Sequence, residues 1–594
     1  MKVFQKLGRM PIALTLPALT ILLVVFGIPI VLLFLISLNA PAFSIVNYQS
    51  FFDQRANVKV LFQTIEISFV VTAACLIIGY PTAYLIVAAP KRLRIVLTVL
   101  VIIPYLTSAL ARTYAWIVIL SDRGLINDLL RDLGLIARPL PLLYNRTSVY
   151  IGMVHIMLPV MMLPLVTVMM GIDKSLTAAA RSMGARPLTA FWRVFFPLSL
   201  PGVRSGSLLV FVICLGFYIT PAALGGLSDA MLSTFIASEN SAFDLARTAT
   251  SAFVLLALAL LVVSVLGLDL SGTQAQAPQR TRKAGRSKLF SFRALREYLS
   301  EFVTPHRAKR WTSQLYKAGG DSIKSKISRL VFVSLVMTYL LFPSVLVVIM
   351  SFSAGTSLEF PPSGLSVQWY RSFFGDSSWY GAALISFQIA VAVAILSTTV
   401  GTLAAFGLNR AVPKARRFVT MLILAPITLP VVVVGIAAFL GLAKLGLIDS
   451  MAGVILAHSV GAIGFVVVIV SGTLANFDHR LVQAAHSMRA GPLQTFLRVT
   501  LPLIRPGVIG GGIFAFLHSF DEIVITSFVS GFSIRTLPLK LWENIRQEID
   551  PTIAAVASLL MLLPVLWLVV LYVAWWRSKP RVLHAPAGEP ATAA

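Results

Sequence analysis

Several ionisable side chains lie beside or inside stretches that are otherwise long and apolar. Asp521 and Glu522 are adjacent carboxylates that follow the apolar run 506–520, Glu66 stands at the start of another run, and Arg112 interrupts a third. An ionisable group at membrane depth is expensive to bury and often marks the path of a charged substrate. Adjacent carboxylates suit a multivalent amine, so Asp521 and Glu522 are the first candidates for a substrate path.

Each of these groups also has a structural interpretation. The carboxylates of Asp521 and Glu522 can lie in the outer interface or pair with a nearby base, and Glu66 can anchor its helix at the interface. Arg112 can meet an anionic substrate group, but we favour a structural ion pair with an acid such as Glu66. The substrate path therefore remains a hypothesis at this point.

Aromatic and imidazole side chains in the apolar runs are weaker candidates. Phe217 and Tyr218 can hold an amine through cation–π contacts, although aromatic residues of this kind are often interfacial anchors. His155, His458 and His518 each lie alone in an apolar run, where hydrogen-bonded packing is the favoured interpretation. No set of ligands with metal-binding spacing accompanies them, so the sequence predicts no metal site.

The composition places these groups in a membrane protein. Of 594 residues, 57% are hydrophobic and 12% are charged, and the mean hydropathy is +0.87. Such a chain is too apolar for a set of soluble domains. The formal net charge of +26 also suits a nucleic-acid binder, but the basic residues lie in loops between apolar runs, as in proteins oriented in a bilayer. We therefore predict a multi-pass membrane protein that touches membrane lipid, with no nucleic-acid partner.

Apolar runs long enough to cross a bilayer recur along the chain. A helix needs about 20 such residues to span a hydrocarbon core of about 30 Å. The sequence predicts an all-α protein with twelve transmembrane helices, of which the third and the eleventh are short and continue beyond a charge. The predicted spans are 11–38, 67–90, 95–111, 147–172, 205–228, 248–268, 330–358, 377–409, 418–443, 450–477, 506–520 and 551–576.

Basic residues orient these spans. Alternate loops are rich in Lys and Arg, and loops of this kind stay in the cytoplasm. Both termini are then cytoplasmic and the two halves share one topology, so we predict a tandem duplication of six helices and not an inverted repeat. The loops predicted to lie outside are 39–58, 121–146, 229–246, 359–376 and 531–550.

Two further segments are predicted to be cytoplasmic. Residues 271–329, between the halves, hold 14 Lys or Arg against three acids and contain no apolar run, which is typical of a linker. Apolar residues at helical spacing within it predict a short basic helix that can lie on anionic lipid, but a solvated tether is the favoured interpretation. Residues 577–594 are predicted to form a tail.

One basic segment of the first half returns in the second half. Residues 179–211 and 484–516 align without a gap and are identical at 17 of 33 positions. Each copy reads as a short helix, a turn, and a second amphipathic segment that a proline, Pro187 in the first copy, can begin. Pro197 and Pro201 are predicted to end that segment before the next span. Ordering such a loop costs too much entropy for a mere connector, so we interpret it as a docking element.

The repeated segment resembles the EAA loop in the permease subunits of binding-protein-dependent ABC importers. The pattern of that loop is E-A-A, three residues, Gly, nine residues and I-x-L-P. Its acid is Ala178 in one copy and Gln483 in the other, and its glycine is Gly184 in the first copy but Arg489 in the second, so the second turn can differ. We expect two docking contacts of related geometry and different strength. The resemblance assigns coupling to Ala178, Ala179, Ala180, Gly184, Arg186, Pro187, Pro197, Gln483, Ala484, Ala485, Arg489, Pro492 and Pro502.

The resemblance implies a fold, partners and a location. In that family the loop sits in a groove of the ATP-hydrolysing subunit, and ATP binding and release there rock the membrane helices. It implies a type I ABC importer permease fold, with halves at 1–270 and 330–576 and coupling loops at 173–204 and 478–505. It also implies a paired, normally homodimeric, cytoplasmic ATPase and a periplasmic binding protein, with the chain in a bacterial inner membrane.

The expected ATPase is a separate chain. No G-x-x-x-x-G-K-[ST] loop occurs in the sequence, so nothing here is expected to bind ATP phosphates in the usual way. The chain is therefore expected to be non-catalytic and to have no cofactor of its own. ATP and Mg²⁺ are expected to bind to the partner ATPase.

Other motifs resemble the permeases of spermidine/putrescine importers. R-T-Y-A-W at 112–116 and P-L-P-L-L-Y at 139–144 resemble the first permease subunit. S-F-D-E at 519–522, T-L-P-L-K at 536–540 and P-T-I-A-A at 551–555 resemble the second. The resemblance implies a fusion of the two subunits and a polyamine such as spermidine or putrescine as the substrate.

The repeat itself leaves the substrate open. The alignment places Gly216 and Phe217 opposite Asp521 and Glu522, so the first half has no acid at this position. A diamine that needs a carboxylate at each end would take the second from elsewhere, for example Glu66. A smaller or zwitterionic amine, such as 4-aminobutyrate or 2-aminoethylphosphonate, is an alternative. An ion-coupled secondary transporter is a further one, which the duplicated loop argues against.

Overall fold

The computed structural model is helical throughout the part of the chain that it describes. Regular structure there consists of helices, apart from one isolated antiparallel bridge between Ser353 and Leu365. The predicted all-α class is confirmed. The predictions for the basic N-terminus, for nearly all of the linker 271–329 and for nearly all of the tail 577–594 lie outside the described residues. The described residues are 11–241, 244–266, 323–355, 360–547 and 551–578.

Apart from a 3-10 turn at Leu227–Asp229, the described residues of the first half form twelve helices, labelled α1 to α12. A π turn interrupts α1 and another interrupts α9. The helices are α1 (Ile12–Ser37), α2 (Val46–Asp53), α3 (Arg55–Ala88), α4 (Lys91–Leu106), α5 (Ala109–Leu120), α6 (Leu125–Asp132), α7 (Arg146–Met170), α8 (Lys174–Ser182), α9 (Pro187–Leu215), α10 (Ile219–Leu224), α11 (Leu232–Ser241) and α12 (Leu245–Leu266).

The second half repeats this order, and within the described residues only α6 lacks a counterpart. The helices are α13 (Ile323–Met350), α14 (Gln368–Gly375), α15 (Ser377–Arg410), α16 (Pro413–Thr428), α17 (Val431–Lys444), α18 (Met451–Ala475), α19 (Arg480–Ser487), α20 (Pro492–Phe520), α21 (Val524–Val529), α22 (Leu537–Gln547) and α23 (Thr552–Ser578).

Two of the predicted spans are sharply broken. Among the described residues, nine helices are long and apolar enough to cross a membrane, and the bent pairs α4–α5 and α16–α17 raise the number to as many as eleven. The pairs bend by 92° and 104°, so the segments predicted as spans at 95–111 and 418–443 each belong to a bent pair and not to one straight helix. Ser108 begins α5 as its N-cap by accepting a hydrogen bond from the Ala111 amide. The exact count of twelve spans remains a prediction.

Several helices extend beyond the apolar runs that predicted them. α3 begins at Arg55, so Glu66 lies well inside the helix and not at its start. α9 continues through Pro197 and Pro201, so the predicted stop at these prolines is wrong. A π turn at Phe191–Phe195 precedes Pro197, and the wider hydrogen-bond ring there accommodates a proline that would clash with the previous turn of a regular helix.

The first helix of each half packs against the other half. α1 lies on α15 and α17, and α13 lies on α4 and α5. One hydrophobic core joins α3, α5 and α7 to Leu340 of α13, and the other joins α15, α17 and α18 to Leu33 of α1. The Tyr339 hydroxyl also donates to the Ile151 carbonyl at 2.7 Å. Each core therefore contains residues of both halves.

Candidate functional site

The break between α4 and α5 brings a carboxylate of the second half to a helix of the first half. α20 ends at Phe520, and the next residue, Asp521, meets the first turn of α5. Its Oδ2 accepts a hydrogen bond from the Ala109 amide at 3.3 Å, and the Ser108 hydroxyl bonds to the same carboxylate. A helix N-terminus offers free N–H groups and a partial positive charge. Asp521 therefore caps α5 across the boundary between the halves.

Arg112 lies one turn further along α5 and is 3% exposed. Its Nη2 donates to the Thr107 carbonyl at 3.2 Å and its Nε to the Ser108 carbonyl at 3.4 Å. Its Nη1 and the Oδ1 of Asp521 have no hydrogen-bond partner in the part of the chain that is described. The two charges act on each other, since the guanidinium and the carboxylate are electrostatic neighbours.

Arg112 and Asp521 line one cavity of about 270 Å³. At about 30 Å³ for each water molecule in the liquid, this is space for roughly nine waters or one small solute. Aromatic rings form much of its wall. The lining residues are Tyr105, Leu106, Thr107, Ser108, Arg112, Phe465, Phe514, Leu517, His518, Phe520, Asp521, Glu522 and Leu560.

A hydrogen-bond network holds the segment that carries the two acids. The Glu522 carboxylate accepts from the Ile525 amide at 2.9 Å and so caps α21. The Thr526 hydroxyl donates to the Glu522 carbonyl, and its oxygen lies 2.8 Å from Nε2 of His458. Nε2 is therefore the donor, and Nδ1 accepts from Ser519 at 2.9 Å. His458 fixes the turn between α20 and α21 as a neutral side chain.

The other two histidines differ from each other. His155 is buried, and its Nε2 lies 3.1 Å from the Leu340 carbonyl, so it helps to join α7 to α13. His518 lines the charged cavity, and its Nε2 is without a partner among the described residues. The interpretation as hydrogen-bonded packing does not hold for Nε2 of His518, which lies against Gly461.

The remaining candidates lie away from this cavity. Glu66 pairs with Arg146 at 3.2 Å, so the favoured ion pair between Arg112 and Glu66 is wrong. The Phe217 carbonyl accepts from the Ser233 hydroxyl at 2.6 Å. The Tyr218 ring lies 5.7 Å from the Trp542 ring. The cavity residues Tyr105, Ser108 and His518 were not predicted as path residues, although Ser108 ahead of an apolar run is an N-cap signal.

The matching position of the first half is closed. α9 ends at Gly216, where a Cβ would lie 2.6 Å from the Cβ of Pro430, the residue just before α17. Only glycine fits this contact. The first half therefore offers packing where the second half offers a carboxylate.

The repeated loops have one conformation. α8 ends at a turn in which Gly184 has φ +84°, and α19 ends at the same turn with Arg489 at φ +61°. Ala185 and Ala490 donate to equivalent carbonyls, both at 3.0 Å. The second turn therefore does not differ, although its side chain does. Asp173 caps α8, and its bonds from the Ser175 hydroxyl and amide hold its pKa below the ordinary value.

Both loops expose the same apolar positions. Met183 is 83% exposed and Met488 is 82% exposed, and four further matched pairs are exposed with them. Ala179 and Ala484 are exposed, whereas Ala180 and Ala485 are buried. These loops are two copies of one apolar surface. The further pairs are Leu176 and Leu481, Leu188 and Leu493, Trp192 and Leu497, and Leu198 and Leu503.

The family model of the binding-protein-dependent transport system inner membrane component matches this chain twice, at residues 75–271 and 397–579. Together these segments cover more than half of the chain. The chain belongs to this family of membrane permeases. Two permease domains in one chain are consistent with a fused permease.

Curated relatives agree with this assignment. The spermidine/putrescine transport system permease protein PotB of Escherichia coli (strain K12) is 34% identical over 194 residues, which are 33% of this chain and 70% of that protein. The putrescine transport system permease protein PotI of the same strain is 32% identical over 240 residues, 39% of this chain and 85% of that protein. A solved bacterial ABC transporter involved in the import of the acidic polysaccharide alginate aligns with 44% of this chain and 99% of its own chain, at 15% identity and with a TM-score of 0.36.

Membership sets the general role. The chain is a multi-pass membrane permease subunit of an ABC importer, a kind of subunit that is generally non-catalytic. Such permeases work with an ATPase and a substrate-binding protein. The cavity at Arg112 and Asp521 and the two exposed loops are then the parts of this permease that need a functional explanation.

Proposed function

We propose that this permease moves a small amine-containing solute from the periplasm into the cytoplasm of a bacterium, driven by ATP hydrolysis in a separate pair of ATPase subunits. One observation carries the proposal. α20 runs from Pro492, at the exposed loop, to Phe520, next to Asp521, without leaving helical conformation. Its 29 residues span about 43 Å at about 1.5 Å per residue. A displacement of the loop is then transmitted to the charged cavity by a single element.

The two loops are the proposed docking surfaces for the ATPase. Their matched exposed side chains suit two equivalent grooves, as a homodimer provides. ATP and Mg²⁺ bind to those subunits, and the permease contributes the coupling surfaces. Both loops and both termini then lie in the cytoplasm, in the bacterial inner membrane, and the far ends of the spans face the binding protein.

The relatives make polyamines the first substrates to test. PotB is named for spermidine and putrescine, and PotI for putrescine. The acids Asp521 and Glu522 at one cavity suit a cationic solute. 4-Aminobutyrate and 2-aminoethylphosphonate are the alternatives, since each carries one amine.

Uptake by the reconstituted complex tests the energy source. The permease, its ATPase and its binding protein are placed in proteoliposomes, and uptake of labelled putrescine, spermidine, 4-aminobutyrate and 2-aminoethylphosphonate is measured. We expect at least one amine to enter only when ATP is supplied on the ATPase side. Uptake that survives without ATP and collapses with an ion gradient would make the protein a secondary transporter.

Substitution of the loop alanines tests coupling. Ala179→Lys and Ala484→Lys place a bulky charge on exposed positions next to the buried Ala180 and Ala485. We expect each variant to lose most ATP-driven uptake and to keep the Tm of the permease, because the change lies on a surface and not in a core. Ala56→Lys, at an exposed position of α3, is the control. Normal uptake in both loop variants would refute the coupling role.

A further inference from the structure

The charged cavity offers one donor and one acceptor of opposite charge. Arg112 Nη1 is a donor without a partner, and Asp521 Oδ1 is an acceptor without a partner, in the described part of the chain. Arg112 is 97% buried, so bulk water does not satisfy it. Buried polar atoms of this kind are normally hydrogen bonded. An exception inside a lined cavity indicates that a ligand completes the bonding.

In each charged group, some atoms are held by hydrogen bonds and one atom is left without a partner among the described residues. Nε and Nη2 of Arg112 are held on backbone carbonyls, which leaves Nη1 without a hydrogen bond in the part that the structure describes. Oδ2 of Asp521 is held by the Ala109 amide, which leaves Oδ1. Ala109 and Arg112 lie one turn apart on the same helix, so the hydrogen bonds on Oδ2, Nε and Nη2 restrict where the two unpartnered atoms lie.

We propose that this cavity binds a small zwitterion, with its ammonium group on Asp521 and its anionic group on Arg112. The proposal rests on the proposed function, since it specifies the solute class for the same cavity. A diamine has a second cation, and the buried guanidinium repels it. A zwitterion pairs both charges at once, and a charge-assisted bond is the stronger kind.

The rest of the lining suits the same class. The rings of Phe465, Phe514 and Phe520 provide an apolar wall for a short methylene chain. Glu522 also lines the cavity and adds a second acid beside the ammonium end. A cavity of about 270 Å³ holds an amino acid with a few methylene groups.

Direct binding to the permease tests the solute class without the selectivity of the binding protein. The permease with its ATPase is placed in nanodiscs, and labelled 4-aminobutyrate is competed with putrescine, butylamine, butyrate and 2-aminoethylphosphonate. We expect the two zwitterions to bind at least about ten-fold more tightly than putrescine or either single-charge compound, because each charged hydrogen bond contributes that much or more. Tighter binding of putrescine, or no binding of any probe, would overturn the proposal.

Variants of Arg112 give a second measurement, in which the affinities of one variant for two ligands are compared. Arg112→Gln should weaken binding of 4-aminobutyrate by about ten-fold or more and leave binding of putrescine unchanged or stronger, and Arg112→Lys should restore part of the loss. The ratio of the two affinities does not depend on the folded fraction. Arg131→Gln, at an exposed ion pair on α6, is the matched control. Equal weakening of both ligands in Arg112→Gln would assign Arg112 a purely structural role.

This result is separable from the proposed function. ATP-driven uptake of putrescine together with failure of zwitterion binding would refute the solute class and leave the importer intact. Absence of ATP-driven uptake of every amine would refute the proposed function, whatever the cavity binds.

Discussion

At two equivalent positions a long helix of one half ends against a broken span of the other half. The backbone arrangement is alike at both positions, but the side-chain chemistry differs. At one, α20 ends beside Asp521, which caps α5. At the other, α9 ends at Gly216, which lies against Pro430 just before α17. The repeat aligns Asp521 with Gly216. The duplication therefore produced two equivalent positions, of which one is charged and the other is closed.

The difference follows from two local substitutions. The Asp521 carboxylate accepts from the Ala109 N–H beside Ser108, whereas the equivalent break presents Pro430 in place of Ser108 and so lacks the serine hydroxyl. The ring of Pro430 also fills the space in which a side chain at position 216 would lie. A small number of residues at the helix breaks thus decides where a duplicated fold carries a charged cavity.

Removing the charges should have the largest effect on stability. Asp521→Leu leaves the buried Arg112 guanidinium without the carboxylate that lies near it, and a buried charge without compensation costs on the order of several kcal/mol. We expect a fall in the Tm of the permease in nanodiscs and a similar fall for Arg112→Met. The double variant should recover part of the loss, with a coupling energy above about 1 kcal/mol.

Asp128→Asn, at an exposed ion pair, is the control for charge removal and should change the Tm little. If the losses of the two single variants simply add in the double variant, Arg112 and Asp521 do not stabilise each other.

Filling the closed position should have the next largest effect. A Cβ in Gly216→Ala would lie 2.6 Å from the Cβ of Pro430, and overpacking of this kind costs about 1–3 kcal/mol. The measurement is again the Tm in nanodiscs. Gly381→Ala is the matched control, because no atom lies within 4 Å of its added Cβ and helix propensity favours alanine. A Tm for Gly216→Ala as high as that of the control would mean that this contact is not tight.

The repeat and the helical class could be predicted because they depend on local pattern. Apolar runs located the spans, and the identity between the copies located the loops, which have the same turn in both halves. The breaks inside two spans were missed because the length of an apolar run reports only its apolarity. A single polar residue such as Ser108, the N-cap of α5, marks a change of chain direction without lowering the apolarity of the run.

The partners of the candidate charges could not be predicted, since they depend on tertiary arrangement. Glu66 and Arg112 belong to the same half, which made their pairing plausible, yet Arg146 pairs with Glu66, and Asp521 of the other half approaches Arg112. Contacts across the halves follow from the exchange of α1 and α13, which no local pattern encodes.

The unequal turns of the docking loops provide a smaller test. Arg489 adopts φ +61°, a left-handed conformation that costs a non-glycine residue about 1–2 kcal/mol, whereas Gly184 adopts φ +84° freely. Arg489→Gly should raise stability by about 1 kcal/mol, and Gly184→Arg should lower it by a similar amount. Thermal unfolding with parallel measurement of ATP-driven uptake checks both. A lower Tm for Arg489→Gly would show that the arginine makes a contact that outweighs the strain.

The smallest effects are expected at the ends of α7 and α18 that lie away from the docking loops, where the halves again differ. Tyr144 and Asp449 occupy matching positions with φ +57° and +56°. The first half ties its loops there by two ion pairs of Arg146: the pair with Glu66 is exposed and contributes at most about 1 kcal/mol, whereas the pair with Asp229 is partly buried. In the second half the Asp449 carboxylate accepts from the Ser533 hydroxyl at 2.8 Å and from three backbone amides.

The two ties should respond differently to pH and salt. The Ser533 hydroxyl and the surrounding amides hold the pKa of Asp449 below its ordinary value. Its stabilisation is therefore complete above about pH 4 and is lost as the pH falls through the lower folded-state pKa. Hydrogen exchange at Ser533 and Ile534, normalised to intrinsic rates, should accelerate in Asp449→Ala at neutral pH and in the wild type only under strong acid. Salt should loosen the pair between Arg146 and Glu66 first, because exposed ion pairs are screened. Equal sensitivity of this pair and of the Asp449 tie to salt would mean that the Asp449 tie is held by charge and not by its hydrogen bonds.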